Sequence, residues 1–284
     1  MSLDLTTLDV FTTTTFEANK LPPPNLKSKE LREFNLSETV FVHDVENRGD
    51  TDEIKIDIFT PQFELPFAGH PTISTAVFLQ PQGVKAMIAK AGRIDLEFEN
   101  GSARALIPHD VRLHKGRVPK HGTQASWDDK LAQGMTFALV ELPSLELLGA
   151  AKVGAMGDID GNLQDDGWKH DFDSRRYYYT LLNGETSSDG KYVQSLRTRL
   201  VKGNMEDPAT GSAACALSCY LALHNLTASS IRFNITQGAE MGRESLIVVN
   251  VEVETGDAGE RKVETVHLSG KAVEVMKGTV RVPQ

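Results

Sequence analysis

The sequence predicts a strand-rich α+β fold of two similar lobes, each wrapping a sheet around its own buried helix. Three observations predict it: strand-period alternation, sparse helical patterns, and an internal repeat at half the chain length. Alternation of apolar and polar residues, the signature of a half-buried strand, runs through Lys55–Phe59, Arg93–Phe98 and Leu246–Val253. Asn100-Gly101, the residue pair that a tight hairpin turn demands, stands between the run ending at Phe98 and the stretch Ala103-Arg104-Ala105-Leu106-Ile107. Helical patterns are confined to Lys27–Phe34, Pro71–Leu79, Trp127–Ala132 and Pro208–His224, which is not the regular βαβ alternation of a parallel sheet.

The repeat carries more information than any single element. Glu64-Leu65-Pro66-Phe67-Ala68-Gly69-His70-Pro71 and Glu206-Asp207-Pro208-Ala209-Thr210-Gly211-Ser212-Ala213 share the pattern E-x-P-x-x-G, 142 positions apart. Both follow an alternating stretch, "KIDIF" and "RTRLV", and both precede a charge-free run of small and apolar residues, "TISTAVFL" and "ACALSCYL". Each half therefore reads strand, loop, buried helix. The polar, punctuated stretch from Pro108 to Thr136 is the expected boundary. It separates an N-terminal lobe over 1–115, with room for the last C-terminal strand to cross back into it, from a C-terminal lobe over 116–284.

Bulk properties narrow the function class. At 284 residues with a formal charge of −9 and no run of lysines and arginines, the chain offers no footprint for nucleic acid or an anionic membrane. No apolar stretch approaches the roughly 20 residues that span a bilayer, and the N-terminal residues lack a secretory pattern, so a cytoplasmic protein is expected. The two cysteines, Cys215 and Cys219, lie four apart in an apolar run and read as small buried side chains in reduced form. "DIDGNLQDDGWK" begins like a calcium loop but has Leu163 where glycine is needed and Lys169 where a bidentate glutamate is needed. The histidines show no metal-ligand spacing, so no metal is expected. Phosphate-binding and nucleophile-elbow motifs are also missing, which removes support for nucleotide chemistry and serine hydrolysis.

A helix without a polar face must be buried all round, and its first turn then presents N–H groups and a favourable dipole to an anion. If the two lobes face each other, both helix starts converge on one cleft suited to a small carboxylate. Gly69 and Gly211 would let the backbone approach such a ligand, and His70 and Ser212 follow them with hydrogen-bonding side chains. Taken alone, His70 reads as a loop residue at a helix start, Asp207 as a helix cap before Pro208, and Glu64 and Glu206 as residues that hold their loops. The repeat shifts the weight, because two equivalent loops with different polar residues suggest one ancestral site that was specialised. Glu38 is the one acid in the neutral stretch Asn35–Val42; beside Leu36, Val40 and Phe41 its carboxylate would be partly desolvated and suited to acid/base work, or else a surface glutamate at a strand edge.

At these residues the chain resembles the PhzF-like family, which shares the diaminopimelate epimerase fold. The resemblance lies in "LDVFTTTTFEAN" at Leu8, "NLSETVFV" at Asn35, "IFTPQFELPFAGHPTISTA" at Ile58, "EDPATGSAACAL" at Glu206, "QGAEMGR" at Gln237 and "HLSGKAVEV" at His267. It implies two pseudo-symmetric lobes, each a curled, mostly antiparallel sheet around a central helix, with the site in the cleft between them. It implies further a cofactor-independent isomerase that moves a proton on a small unsaturated or cyclic carboxylic acid. Glu38 matches the acid/base glutamate, His70 and Asp207 match the assisting residues, and Gly69, Gly211 and Ser212 match the contacts to the substrate carboxylate. No metal or organic cofactor is implied, and a homodimer is. A small-molecule binding protein with the same cleft but lost catalysis is the alternative, with an amino-acid epimerase or racemase as a third. The first loop has no cysteine, which disfavours a two-thiol epimerase. The chain departs from the family at Phe16–Leu21, where a shorter segment and a proline run stand in place of part of one strand.

Overall fold

Strands and helices form where the alternating and charge-free stretches stand, in an α+β arrangement that is mostly sheet. The computed structural model describes residues 2–14, 20–21, 38–43, 52–60, 63–109, 111–118, 122–127, 135–151, 176–202 and 205–281. In chain order the elements are β1 (Ser2–Val10), β2 (Lys20–Leu21), β3 (Thr39–Val42), β4 (Glu53–Phe59), β5 (Glu64–Leu65), α1 (Gly69–Leu79), β6 (Ala86–Ala89), β7 (Gly92–Glu99) and β8 (Ser102–Leu106). They continue with β9 (Val111–Val118), β10 (Gly122–Trp127), β11 (Met135–Glu141), α2 (Leu145–Ala150), β12 (Arg176–Thr186), β13 (Tyr192–Lys202), β14 (Met205–Asp207), α3 (Gly211–His224), β15 (Ser230–Gln237), β16 (Ser245–Thr255), β17 (Arg261–Gly270) and β18 (Ala272–Arg281). The chain divides into two compact units, Met1–Pro108 with Ser269–Gln284, and His109–Leu268.

In the first unit β1 pairs antiparallel with β18, and β2 adds two residues to its other edge. A second path runs β3-β4-β6-β7-β8, with β4 and β6 parallel and the other neighbours antiparallel. β4 shows the cause of strand formation: Ile54, Ile56 and Ile58 are buried on one face while Lys55 is exposed on the other. Asn100 and Gly101 both take positive φ, 51° and 75°, which is the mirror-image turn that joins twisted strands without splaying them.

Helix α1 contains no charged residue and is buried over Gly69–Ala76 and at Leu79. Two of its polar side chains are satisfied within the helix: Thr72 Oγ1 donates to the carbonyl of Ala68 at 2.8 Å, and Ser74 Oγ to that of His70 at 3.0 Å. The helix starts two residues earlier than the proline suggests. Pro71 is its third residue, where a missing N–H costs no helical bond. Pro81 and Gly83, at φ 75°, then close it through a short 3-10 turn.

Phe11 is a buried aromatic residue in the left-handed region, φ 62°, with its N–H bonded to the carbonyl of Lys271 at 2.6 Å. Its ring lies against the bare α-carbon of Gly270 and shares that neighbour with Ile73 of α1. A methyl group at Gly270 would overlap the ring, which is too buried to swing aside. Gly270→Ala is therefore expected to lower unfolding stability by about 1–3 kcal/mol. Equal denaturation midpoints for parent and variant would mean that the ring repacks freely.

The second unit is one sheet in the order β9-β10-β11-β12-β13-β15-β16-β17, with β11–β12 and β13–β15 parallel and the short β14 paired to β13. Its helix α3 is buried from Gly211 to Cys219 and again at Leu221 and Ala222, and it packs on β9, β10, β11, β15 and β16. Small residues make that close approach possible. Cys215 and Cys219 are free, and burial pushes both thiols well above their ordinary range, which suits packing and not nucleophilic chemistry.

Several sequence expectations need correction. α3 begins at Gly211 and not at Pro208, because the Asp207 side chain folds residues 207–210 into a turn of their own. Of the helical stretch expected over Trp127–Ala132 only Trp127 is described, and it ends strand β10, opposite Met135 and Val111. The stretch between Pro108 and Thr136, polar as it is, contributes β9 and β10. Lys27–Phe34, residues 128–134 and the acidic loop at 158–169 lie outside the described residues. Of Phe16–Leu21, where part of a strand is expected to be lacking, only Lys20 and Leu21 are described, as β2; the rest lies outside the described residues.

Candidate active site

Glu38 leads directly into β3, and the antiparallel pairing of Thr39 with Phe59 sets the height at which its side chain emerges. His70 is the second residue of α1, which packs on β1, β3, β8 and β18. Residues 32 positions apart thus meet: His70 Nε2 lies 3.0 Å from Glu38 Oε2, with the imidazole 7% and the carboxylate 20% exposed. A carboxylate and an imidazole in contact, largely shielded from water, can hold one proton and pass it on. Neither residue caps the helix. The cap position is Ala68, extended at φ −152°, with no side-chain cap bond, so His70 is not the simple helix-capping residue that its position suggests.

Gly69 is the first residue of α1, and Gly211 and Ser212 are the first two of α3; Ser212 is buried. Both helices therefore start on the residues expected to meet a carboxylate, with the N–H groups that no helix bonds internally. The two matched glutamates differ in kind. Glu64 makes a solvent-exposed pair with Lys90 at 3.0 Å, a contact of little energetic weight. Glu206 is held by Arg199 through two bonds, Nε to Oε1 at 2.8 Å and Nη2 to Oε2 at 2.7 Å, both side chains being under 10% exposed.

Asp207 is not a helix cap. Its Oδ1 accepts from the N–H of Ala209 at 3.2 Å and its Oδ2 from the hydroxyl of Thr210 at 2.5 Å, which shapes the turn ahead of α3. Gln237, at the end of β15, reaches into this turn: its Nε2 donates to the carbonyl of Asp207 at 2.8 Å and to Thr210 Oγ1 at 3.0 Å. Its Oε1 accepts from the N–H of Thr210 at 3.2 Å and from the Tyr177 hydroxyl at 3.0 Å. Tyr177 also touches Thr198 Oγ1 at 3.0 Å, and burial pushes its hydroxyl well above the usual range, so it stays a neutral hydrogen-bonding group. Thr210, Gln237, Tyr177 and Thr198 have no counterpart among the residues singled out from sequence. The stretches "EDPATGSAACAL", "RTRLV" and "QGAEMGR" contain Thr210, Thr198 and Gln237 without assigning them a role.

Among the described residues no group of three or more His, Cys, Asp or Glu side chains could hold a metal ion. Among the same residues no helix is long and apolar enough to cross a membrane.

The family of phenazine biosynthesis-like proteins, PhzC-PhzF, matches residues 8–126 and 185–278. The trans-2,3-dihydro-3-hydroxyanthranilate isomerase of Pseudomonas fluorescens is 31% identical over 281 residues, covering 93% of this chain and 91% of that protein. The PhzF-family phenazine biosynthesis protein of Bacillus anthracis has a similar structure, with a TM-score of 0.66 at 16% identity over 99% of this chain and 100% of the other. A hydroxyproline epimerase of Agrobacterium vitis, solved with bound trans-4-OH-L-proline, is more distant, at a TM-score of 0.56 and 12% identity over 98% and 91%. At such identities the structural likenesses speak for the fold alone. The family match covers Glu38, His70, Asp207, Gly211 and Gln237 together, and the chain belongs to the phenazine biosynthesis-like (PhzC-PhzF) protein family.

Proposed function

We propose that the chain is a cofactor-independent isomerase that moves a proton on a small unsaturated or cyclic carboxylic acid, with Glu38 as both base and acid. The observation that carries this is the 3.0 Å contact of Glu38 with His70 in a mostly buried setting. In the proposed step the Glu38 carboxylate takes a proton from a ring carbon, and the C–H electron pair moves into the conjugated system toward the substrate carboxylate. The Glu38 carboxylic acid, whose O–H exchanges with solvent while the proton is held there, then delivers a proton to a different ring carbon, so atoms and charge balance without a second reactant. His70 orients Glu38 and shares its proton. The N–H groups at Gly69 and Gly211, with Ser212, bind the substrate carboxylate and take up the charge that grows on it. Asp207 positions the second of these loops. The E-x-P-x-x-G repeat and the two charge-free helices support reading the units as copies of one ancestral lobe that serve one substrate.

The isomerase from Pseudomonas fluorescens supplies the first candidate substrate, trans-2,3-dihydro-3-hydroxyanthranilate. Incubated with it in heavy water, the purified chain is expected to change the ring absorbance and to place deuterium on one ring carbon. Absence of both changes, here and across a panel of small unsaturated and cyclic acids, would sink the proposal.

A further inference from the structure

We propose that Gln237 is a positioning residue for the substrate-carboxylate end of this site, acting through the turn Asp207–Thr210; the inference rests on the isomerase assignment above. The four bonds of its amide leave only one orientation. Thr210 N–H and the Tyr177 hydroxyl both present protons, so the oxygen must face them, while the carbonyl of Asp207 presents lone pairs and must face the nitrogen. Thr210 spends its hydroxyl proton on Asp207 Oδ2, which leaves Thr210 Oγ1 to accept from Gln237 Nε2. Tyr177 has one proton, and Gln237 Oε1 can only accept, so Thr198 donates to the tyrosine oxygen. The chain of donors therefore runs in a single sense from Thr198 through Tyr177 and Gln237, with no alternative arrangement of comparable quality. Gln237, Tyr177 and Thr198 are fully buried, so water cannot replace a lost member.

The backbone adds a second constraint. Gly238 has φ 77°, and a Cβ there would lie 2.7 Å from the carbonyl oxygen of Pro208 and would also collide with that of Arg243. The end of β15 is thus seated directly on the turn that Gln237 grips. Together they fix the plane of the peptides entering α3, and with it the direction of the first N–H groups at Gly211 and Ser212.

The test compares Gln237→Met, close in size but without hydrogen-bonding capacity, with Tyr177→Phe, which deletes only the hydroxyl. Each removes buried hydrogen bonds, and kcat/KM on the candidate acid is expected to fall about tenfold or more, chiefly through KM, with the smaller change in Tyr177→Phe. The pH dependence set by Glu38 should stay where it is. Anthranilate, used as a non-reacting carboxylate probe in calorimetry, should bind about tenfold more weakly to both variants. Lower thermal stability with unchanged KM and unchanged anthranilate affinity would overturn the proposal and leave Gln237 a structural residue only. Should the parent turn over no acid, the isomerase assignment falls by itself, and the anthranilate affinities still decide: weaker binding in the variants supports the positioning role and equal binding overturns it. If Gln237→Met fails to fold, Tyr177→Phe decides by the same two measurements.

Discussion

Glu38→Gln is expected to reduce carbon-proton exchange and isomerisation about 10²–10⁴-fold while leaving KM within a few-fold of the parent. The side chains are nearly isosteric, and the amide can keep a polar contact with His70 Nε2, 3.0 Å away in the parent, so the fold and the loops proposed to bind the carboxylate should be untouched. What disappears is the ability to accept a proton, since an amide has no basic oxygen near neutral pH. The measurement is deuterium incorporation from heavy water alongside the isomerisation rate, with thermal unfolding as the control. Rates equal to those of the parent would remove Glu38 from the mechanism. A companion change, His70→Gln, should cost less, because it disturbs the orientation of the base but leaves the base in place.

The second large effect concerns stability. Arg199 lies on β13 and forms the buried pair with Glu206, while its Nη1 also donates to the carbonyls of Leu148 at 2.8 Å, Gly149 at 3.2 Å and Ala151 at 2.7 Å. One guanidinium therefore ties the end of α2 to the strand that precedes the Asp207 turn. Glu206→Ala strands that cation in a poorly solvated place and is expected to cost about 3–5 kcal/mol of unfolding stability. Replacing both partners, Arg199→Met with Glu206→Leu, should recover part of the loss, because no charge is left uncompensated. Recovery stays incomplete, since the three carbonyls at the end of α2 lose their donor. Denaturant midpoints for Arg199→Met, Glu206→Leu and the double variant that combines them give the coupling. A double variant as unstable as the sum of the singles would show that the two side chains act independently.

The elements legible in the sequence are those whose cause is local. Alternation in Lys55–Phe59, Arg93–Phe98 and Leu246–Val253 lies inside β4, β7 and β16, and the absence of charge marked α1 and α3. Asn100-Gly101 specified its own turn through the φ values it tolerates. Elements whose cause is remote were not legible. The six-residue α2 has a local cue, since Ser144 caps it by accepting from the N–H of Leu147 at 3.2 Å, but its far end depends on Arg199 from another strand. β9 and β10 look like polar connector in the sequence because backbone pairing, β10 with both β9 and β11, and not a clear alternation of apolar residues, makes them strands. The candidate residues divide in the same manner. Motifs pointed to Glu38, His70 and Asp207, whereas Gln237 gains its meaning from strand register: parallel pairing sets Thr198 beside Gln237, and β12 beside β13 delivers Tyr177 to both.

The pairing of β1 with β18 has a bearing on biosynthesis. The partner of β1 is translated only after all of His109–Leu268, so the first unit is closed by a strand that leaves the ribosome after the other unit is already made. Until then β1 presents an open edge that another nascent chain could pair with. Pairing β1 with β18 therefore closes a loop that holds an entire folding unit, at a larger cost in chain entropy than the assembly of any local hairpin.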